Sequence, residues 1–167
     1  MFDGSSWTNY DQASNPLMLS NDIKAITATT NGDIWIGTDY GVNKLYSGVS
    51  GMTWLSFTTN DGLANNKVTR IDEAPNGDLW FSHSSFSAGV SVFDGNNWMS
   101  YNSPDLPISG VCATSFSDNG DIWFASPLDG LAHYDGTNFT NYSSNDGLLS
   151  NYSLSLIHIS EPTRLGF

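Results

Sequence analysis

Apolar and polar residues alternate along this chain in short runs, and each run closes on a Gly-containing turn. Ile34-Trp35-Ile36 follows Asn31-Gly32-Asp33, Leu79-Trp80-Phe81 follows Asn76-Gly77-Asp78, and Ile122-Trp123-Phe124 follows Asn119-Gly120-Asp121. Alternation between turn residues predicts half-buried strands, and Asn-Gly is a strong hairpin signal. In the first copy Ile34 and Ile36 fall on one face and Trp35 on the other. Trp35, Trp80 and Trp123 lie 45 and 43 residues apart.

Two further motifs keep the same order. One runs Phe2-Asp3-Gly4 to Trp7 and Tyr10, Phe93-Asp94-Gly95 to Trp98 and Tyr101, and Tyr134-Asp135-Gly136 to Phe139 and Tyr142, with a looser copy from Tyr46 through Trp54 to Phe57. The other precedes each Asn-Gly turn: Ile23-Lys24-Ala25-Ile26, Val68-Thr69-Arg70-Ile71 and Val111-Cys112-Ala113-Thr114. Each period therefore predicts four strands. The first covers Ile23 to Ala28, Val68 to Glu73 or Val111 to Phe116, and the second starts at Asp33 and ends at Thr38 in the first copy. The third covers Gly41 to Tyr46, Gly89 to Phe93 or Gly130 to Tyr134, and the fourth carries Trp/Phe-x-x-Tyr/Phe. Four antiparallel strands at a period of 41 to 47 residues are the pattern of a β-propeller blade. The expected fold is all-β: a β-propeller fragment of three complete blades with partial flanking strands. A helical solenoid is excluded, because Gly and β-branched residues interrupt every candidate helix.

Composition narrows the function. With 5 Lys plus Arg against 17 Asp plus Glu in 167 residues, the net charge is −12. Phosphate contacts need clustered cations, so nucleic-acid binding is excluded as a reading, and anionic membrane surfaces are disfavoured. No window reaches the eighteen or so apolar residues of a membrane span, and no membrane insertion by this segment is expected. Most Asp stand beside Gly or Asn and read as turn formers. The single cysteine, Cys112, allows no internal disulfide and reads as a small core side chain.

Ser20-Asn21-Asp22-Ile23-Lys24-Ala25-Ile26, followed by Asn31-Gly32-Asp33-Ile34-Trp35-Ile36-Gly37-Thr38-Asp39-Tyr40-Gly41-Val42, resembles the two-component regulator propeller repeat. The second copy opens with Asp61-Gly62-Leu63-Ala64-Asn65-Asn66-Lys67-Val68 and matches as well, whereas the third replaces this opening with Pro104-Asp105-Leu106-Pro107. A fourth begins at Asp146-Gly147-Leu148-Leu149-Ser150-Asn151. The resemblance implies a periplasmic or extracellular sensor region of a bacterial two-component system, within a larger protein. The competing expectation is a secreted or surface-anchored propeller without signalling output. Expected partners are a carbohydrate or other small ligand, or a protein, together with the remaining blades of a full-length chain; no cofactor and no metal is expected.

The repeat register places residues 1–153 in the propeller segment, which opens inside a third-to-fourth-strand turn and ends inside a first strand. From Leu154 the pattern breaks: Leu154-Ser155-Leu156-Ile157-His158-Ile159-Ser160-Glu161-Pro162-Thr163-Arg164 resembles the in-frame translation of a transposase-based sequencing adapter. Residues 154–167 are read as a non-native tail and set aside.

The Trp of each Asn-Gly-Asp motif is read as blade packing, since a ligand needs one site while packing needs the residue in every blade. Trp7, Trp54, Trp98 and Phe139 are read the same way. His83 and His133 break the repeat. Streptogramin lyases, which the chain resembles in its second-strand motif, use a His general base beside a metal. Here no paired Glu accompanies either His, so no catalytic residue is assigned. Asp118-Asn119-Gly120-Asp121 lacks the spacing and terminal Glu of a calcium loop. The variable rim loops remain: Asp39-Tyr40, His83 to Ala88, and Ser126 to Asp129. Loops set on a repeated scaffold are where binding residues concentrate. Asp39, Tyr40, His83, Phe86 and Asp129 are the candidate ligand-binding residues.

Overall fold

A computed structural model describes residues 4–49, 51–83 and 88–152. The adapter-like tail and Phe86 lie outside the described residues. The alternating runs form twelve strands in three four-stranded antiparallel sheets. The first contains β1 (Ile23–Ala28), β2 (Ile34–Thr38), β3 (Gly41–Gly48) and β4 (Gly51–Phe57). The second contains β5 (Val68–Glu73), β6 (Leu79–His83), β7 (Val90–Phe93) and β8 (Trp98–Tyr101). The third contains β9 (Ala113–Phe116), β10 (Ile122–Ser126), β11 (Gly130–Tyr134) and β12 (Phe139–Tyr142). Within each sheet the strands pair in chain order. The expected blades are therefore present, with β9 starting two residues later than Val111. There Cys112 donates its backbone N–H to Ala125 O at 2.9 Å, and its side chain is only partly buried.

Sheets stack face to face, and the period-2 alternation sorts the residues. Ile26 pairs with Ile36, Ile71 with Phe81 and Thr114 with Phe124, so each pair shares a face. Trp35, Trp80 and Trp123 take the opposite face. Trp35 packs against Val68, Ile71, Leu79 and Phe81 of the second sheet. Trp80 packs against Ile122, Phe124 and Ala132 of the third. The fourth-strand aromatics follow the same register: Tyr10 meets Trp54 at 5.5 Å, Phe57 meets Trp98 at 5.3 Å and Tyr101 meets Phe139 at 5.2 Å. Ile71 is 4% exposed and its counterpart Ile26 is 68% exposed, because the first sheet covers the former and no described sheet covers the latter. Trp7, read from the sequence as a packing residue, is 80% exposed.

One glycine position recurs for a steric reason. Gly41 and Gly130, with φ of +128° and +87°, open the third strand where the backbone passes the carbonyl ending the fourth. A Cβ on Gly130 would stand 2.2 Å from Tyr142 O, and on Gly41 2.3 Å from Phe57 O. Gly130→Ala must both strain φ and push the strands apart. A loss of about 2 kcal/mol or more is expected in denaturant unfolding, whereas Gly136→Ala, in an open turn, is expected to lose about 1 kcal/mol from φ alone.

Candidate functional site

Antiparallel pairing puts the β2–β3, β6–β7 and β10–β11 connections at one end, together with the linkers that carry the chain between sheets. Asn-Gly turns occupy the other end. The rim therefore gathers the variable segments, and its residues divide into committed and available side chains.

Tyr40 is available. It is 64% exposed, and its position is fixed from the backbone, where its N–H donates to Thr38 Oγ1 at 3.0 Å. Asp39 beside it lies 3.6 Å from Lys24 Nζ, which also pairs with Asp22 at 2.7 Å. A bulge between Ile23 and Ala25 sits at Lys24, beside both carboxylates. The hydrogen bond to Asp22, with the nearby charges of Asp22 and Asp39, raises the Lys24 pKa above its ordinary value. Asp39 Oδ1 is buried with no hydrogen-bond partner among the described residues.

Asp129 is committed. Its Oδ2 accepts from Ser109 N at 2.9 Å and from Ser109 Oγ at 2.7 Å, tying the β10–β11 turn to the linker ahead of the third sheet. Ser126, expected in the rim loop, ends β10 and is buried; its hydroxyl donates to Ser109 O at 2.7 Å.

His83 corrects the sequence reading of it as a rim-loop residue. It is the last residue of β6 and fully buried. Nδ1 lies 3.2 Å from Lys67 O, and Nε2 lies 2.8 Å from Ser91 Oγ. A carbonyl only accepts, so Nδ1 carries the proton and Nε2 accepts from the Ser91 hydroxyl. Ser91 Oγ also accepts from Ala64 N–H at 2.8 Å. The chain Ala64 N–H to Ser91 to His83 to Lys67 O is closed only with neutral imidazole. Burial lowers the His83 pKa to about 4. The ring is a latch between β6, β7 and the linker, with neither nitrogen free for general-base chemistry in this arrangement.

His133 lies on β11 opposite Trp123, its ring stacked on the indole at 4.5 Å. Its Nε2 is 2.9 Å from Asp121 Oδ2, at ion-pair distance but poorly aligned for a hydrogen bond. Among the described residues, no three His, Cys, Asp or Glu side chains converge as metal ligands.

Several positioning residues were not singled out from the sequence. Asn21, Asn66 and Asn151 each accept, through Oδ1, a backbone N–H of the preceding linker: Gln12, Thr59 and Ser144. Asn43 Oδ1 accepts from Leu19 N at 2.9 Å while its Nδ2 donates to Leu17 O. The recurrence of Asn two residues before Ile23 and Val68 is the signal that would have marked the first two of these sites. At the opposite end, Glu73 accepts from Thr30 N and Oγ1 at 2.8 and 2.7 Å, beside an open groove of about 430 Å3 lined also by Pro75, Asn76 and Phe116.

Comparison with known proteins agrees with this architecture. The profile of the two component regulator propeller family matches residues 18–40, which span the linker, β1, the Asn-Gly turn and β2. No curated protein sequence matches the chain. Among solved structures, the chain is similar to the extracellular domain assigned to the hybrid two component system BT3049 of B. thetaiotaomicron, at 22% identity and a TM-score of 0.73. That likeness covers 91% of this chain and 21% of the other, so the chain spans about a fifth of its length. Virginiamycin B lyase from Staphylococcus aureus is similar at 21% identity and a TM-score of 0.55, over 74% of this chain and 43% of the enzyme. PorZ, a surface component of the type-IX secretion system of Porphyromonas gingivalis, is similar at 19% identity and a TM-score of 0.59, over 84% of this chain and 23% of PorZ. At these identities the structures establish the fold. No helix among the described residues is long and apolar enough to cross a membrane.

Proposed function

We propose that this chain is a ligand- or partner-binding propeller segment of a larger bacterial protein, acting in the extracytoplasmic sensor region of a two-component regulatory system. The observation that carries this reading is the repeat itself. Residues 18–40 match the regulator propeller family, and the three sheets superpose on an extracellular domain from such a system. Recognition is the expected role rather than catalysis. The lyase likeness is one of fold, and His83, at the rim end of β6, has both nitrogens occupied. PorZ supports a second reading, a surface propeller without signalling output.

Binding is assigned to the rim around Tyr40 and Asp39, because Tyr40 offers an exposed ring on a fixed backbone beside a charged pair. A thermal-shift screen of the purified chain against carbohydrates and short peptides tests this. A ligand whose stabilisation disappears in Tyr40→Ala but persists in Trp7→Ala supports the assignment. A ligand whose stabilisation is unchanged in Tyr40→Ala and Asp39→Ala removes binding from this rim.

A further inference from the structure

The groove at the Asn-Gly end gathers residues that depart from the repeat. Ala28, Glu73 and Phe116 hold one register position, opposite Ile34, Leu79 and Ile122. Two residues further on, Thr30, Pro75 and Asp118 correspond. Packing common to all sheets asks for one residue type at each position, as the second-strand Trp shows, and these two positions do not keep one. Yet Thr30, Glu73, Pro75 and Phe116 converge on the same groove of about 430 Å3. That size falls in the range of small-molecule sites, about 300–1,000 Å3.

The groove lies in the seams between sheets and not on an outer face. Phe116 shares its sheet face with Ile122, and both pack in the cluster that holds Trp80 of the second sheet. Phe116 remains half-buried, with the rest of its ring toward the groove. On the other side, Thr30 and Glu73 tie the first sheet to the second through two hydrogen bonds. Three adjacent sheets therefore supply all of its walls.

The charge in the groove is one-sided. Asp22, Asp33 and Asp72 each face a Lys or Arg at 2.7 Å, whereas Glu73 takes part in none of the ion pairs among the described residues. Its two oxygens accept from the neutral Thr30 N–H and hydroxyl, at 2.8 and 2.7 Å. No Lys, Arg or His lines the groove. Each carboxylate oxygen keeps a further lone pair, so a cation can join Glu73 without breaking the tie to Thr30. The carboxylate is already held in place, so little side-chain ordering is left for a ligand to offset. Phe116 and Pro75 add apolar surface beside it. We propose that this groove binds a small organic cation, a primary ammonium on an aromatic or aliphatic body. The ammonium meets Glu73 and the body lies on Phe116 and Pro75. The site stands at the opposite end of the sheets from Tyr40 and does not rest on the assignment of binding to that rim.

The test is a titration of the isotope-labelled full chain with phenethylammonium, followed through its backbone amide signals. Saturable shifts are expected at Thr30, Ala74 and Gly77 and not at Tyr40. Ethylammonium lacks the ring and phenethyl alcohol lacks the charge, and each is expected to bind about tenfold more weakly or worse. Glu73→Gln leaves an acceptor for Thr30 and is expected to weaken phenethylammonium by about tenfold, the loss of one charge-assisted contact. Phe116→Ala, which installs the first sheet's residue, is expected to weaken it as well, with the remaining amide signals of the folded chain in place. No saturable shift at these amides, or shifts unchanged in Glu73→Gln, overturns the proposal. So does an equal response to ethylammonium, which would reduce the effect to attraction by an acidic surface.

Discussion

Trp35→Ala is expected to be among the most destabilising single substitutions in the chain, at about 3–5 kcal/mol in denaturant unfolding. Trp35 is 1% exposed and sits among four other rings: Phe57 at 5.6 Å, Phe81 at 5.5 Å, Phe93 at 5.4 Å and Trp98 at 6.2 Å. Phe57 comes from its own sheet and the other three from the next, so the substitution empties the seam between two sheets. Packed sheets cannot close on such a void without giving up the contacts of Val68 and Ile71 as well. Trp123→Ala removes the same side chain from the same repeat position. It is expected to cost about 1–2 kcal/mol, because Trp123 is only half-buried and, among the rings of the described residues, meets only His133 and Tyr142. The contrast within one chain separates the value of the residue type from the value of a neighbouring sheet. Equal losses for the two would mean that the Trp acts within its own sheet.

His83 is expected to make the fold acid-sensitive. An unfolded histidine takes up its proton near pH 6.5, whereas the buried ring resists until about 4. Between those values the unfolded chain binds the extra proton, so stability must fall as pH falls. The contribution is complete above pH 6.5 and lost by about pH 4. At about 1.4 kcal/mol per pH unit of separation, the loss has an upper limit of about 3.5 kcal/mol. Protonation also turns Nε2 into a donor, leaving the Ser91 hydroxyl without its acceptor. His83→Gln keeps one donor and one acceptor at the site and does not titrate. Its unfolding free energy, measured from pH 7.5 to 4.5, is expected to be lower than wild type at the top of the range and to decline less steeply toward the bottom. A wild-type profile parallel to that of the variant would place the acid sensitivity elsewhere.

The repeat made the strands and their order legible, because turn chemistry and alternation are local signals. Asn31-Gly32, Asn76-Gly77 and Asn119-Gly120 mark the hairpins, and the period sets the sheets. It also made the role of Trp35 and Trp80 legible, since both lie in seams between sheets. What escaped was decided across the chain. His83 follows a strand motif and precedes a long insertion, so it read as a loop residue. Its burial depends on Lys67, 16 residues away, and on Ser91 across the hairpin. Asp129 stood in the rim as expected, but its carboxylate was already engaged by Ser109 from the preceding linker. Trp7 carries the same motif as Trp98 and is exposed, a difference that the motif alone does not carry. Asn43, buried in β3 and bonded to Leu17 and Leu19, is replaced by Ser91 in the second repeat, which accepts from Ala64 N in the same way, so the shared role left no repeated residue type to read.

The three sheets stack in one repeated register, with the second-strand Trp of the first and second sheets each against the following sheet. Nuclear Overhauser contacts from the indole protons test it most directly. The account predicts contacts from Trp35 to the rings of Phe81 and Trp98, and from Trp80 to those of Phe124 and Tyr134, all across sheets. Contacts from Trp35 and Trp80 confined to residues of their own sheets would contradict it.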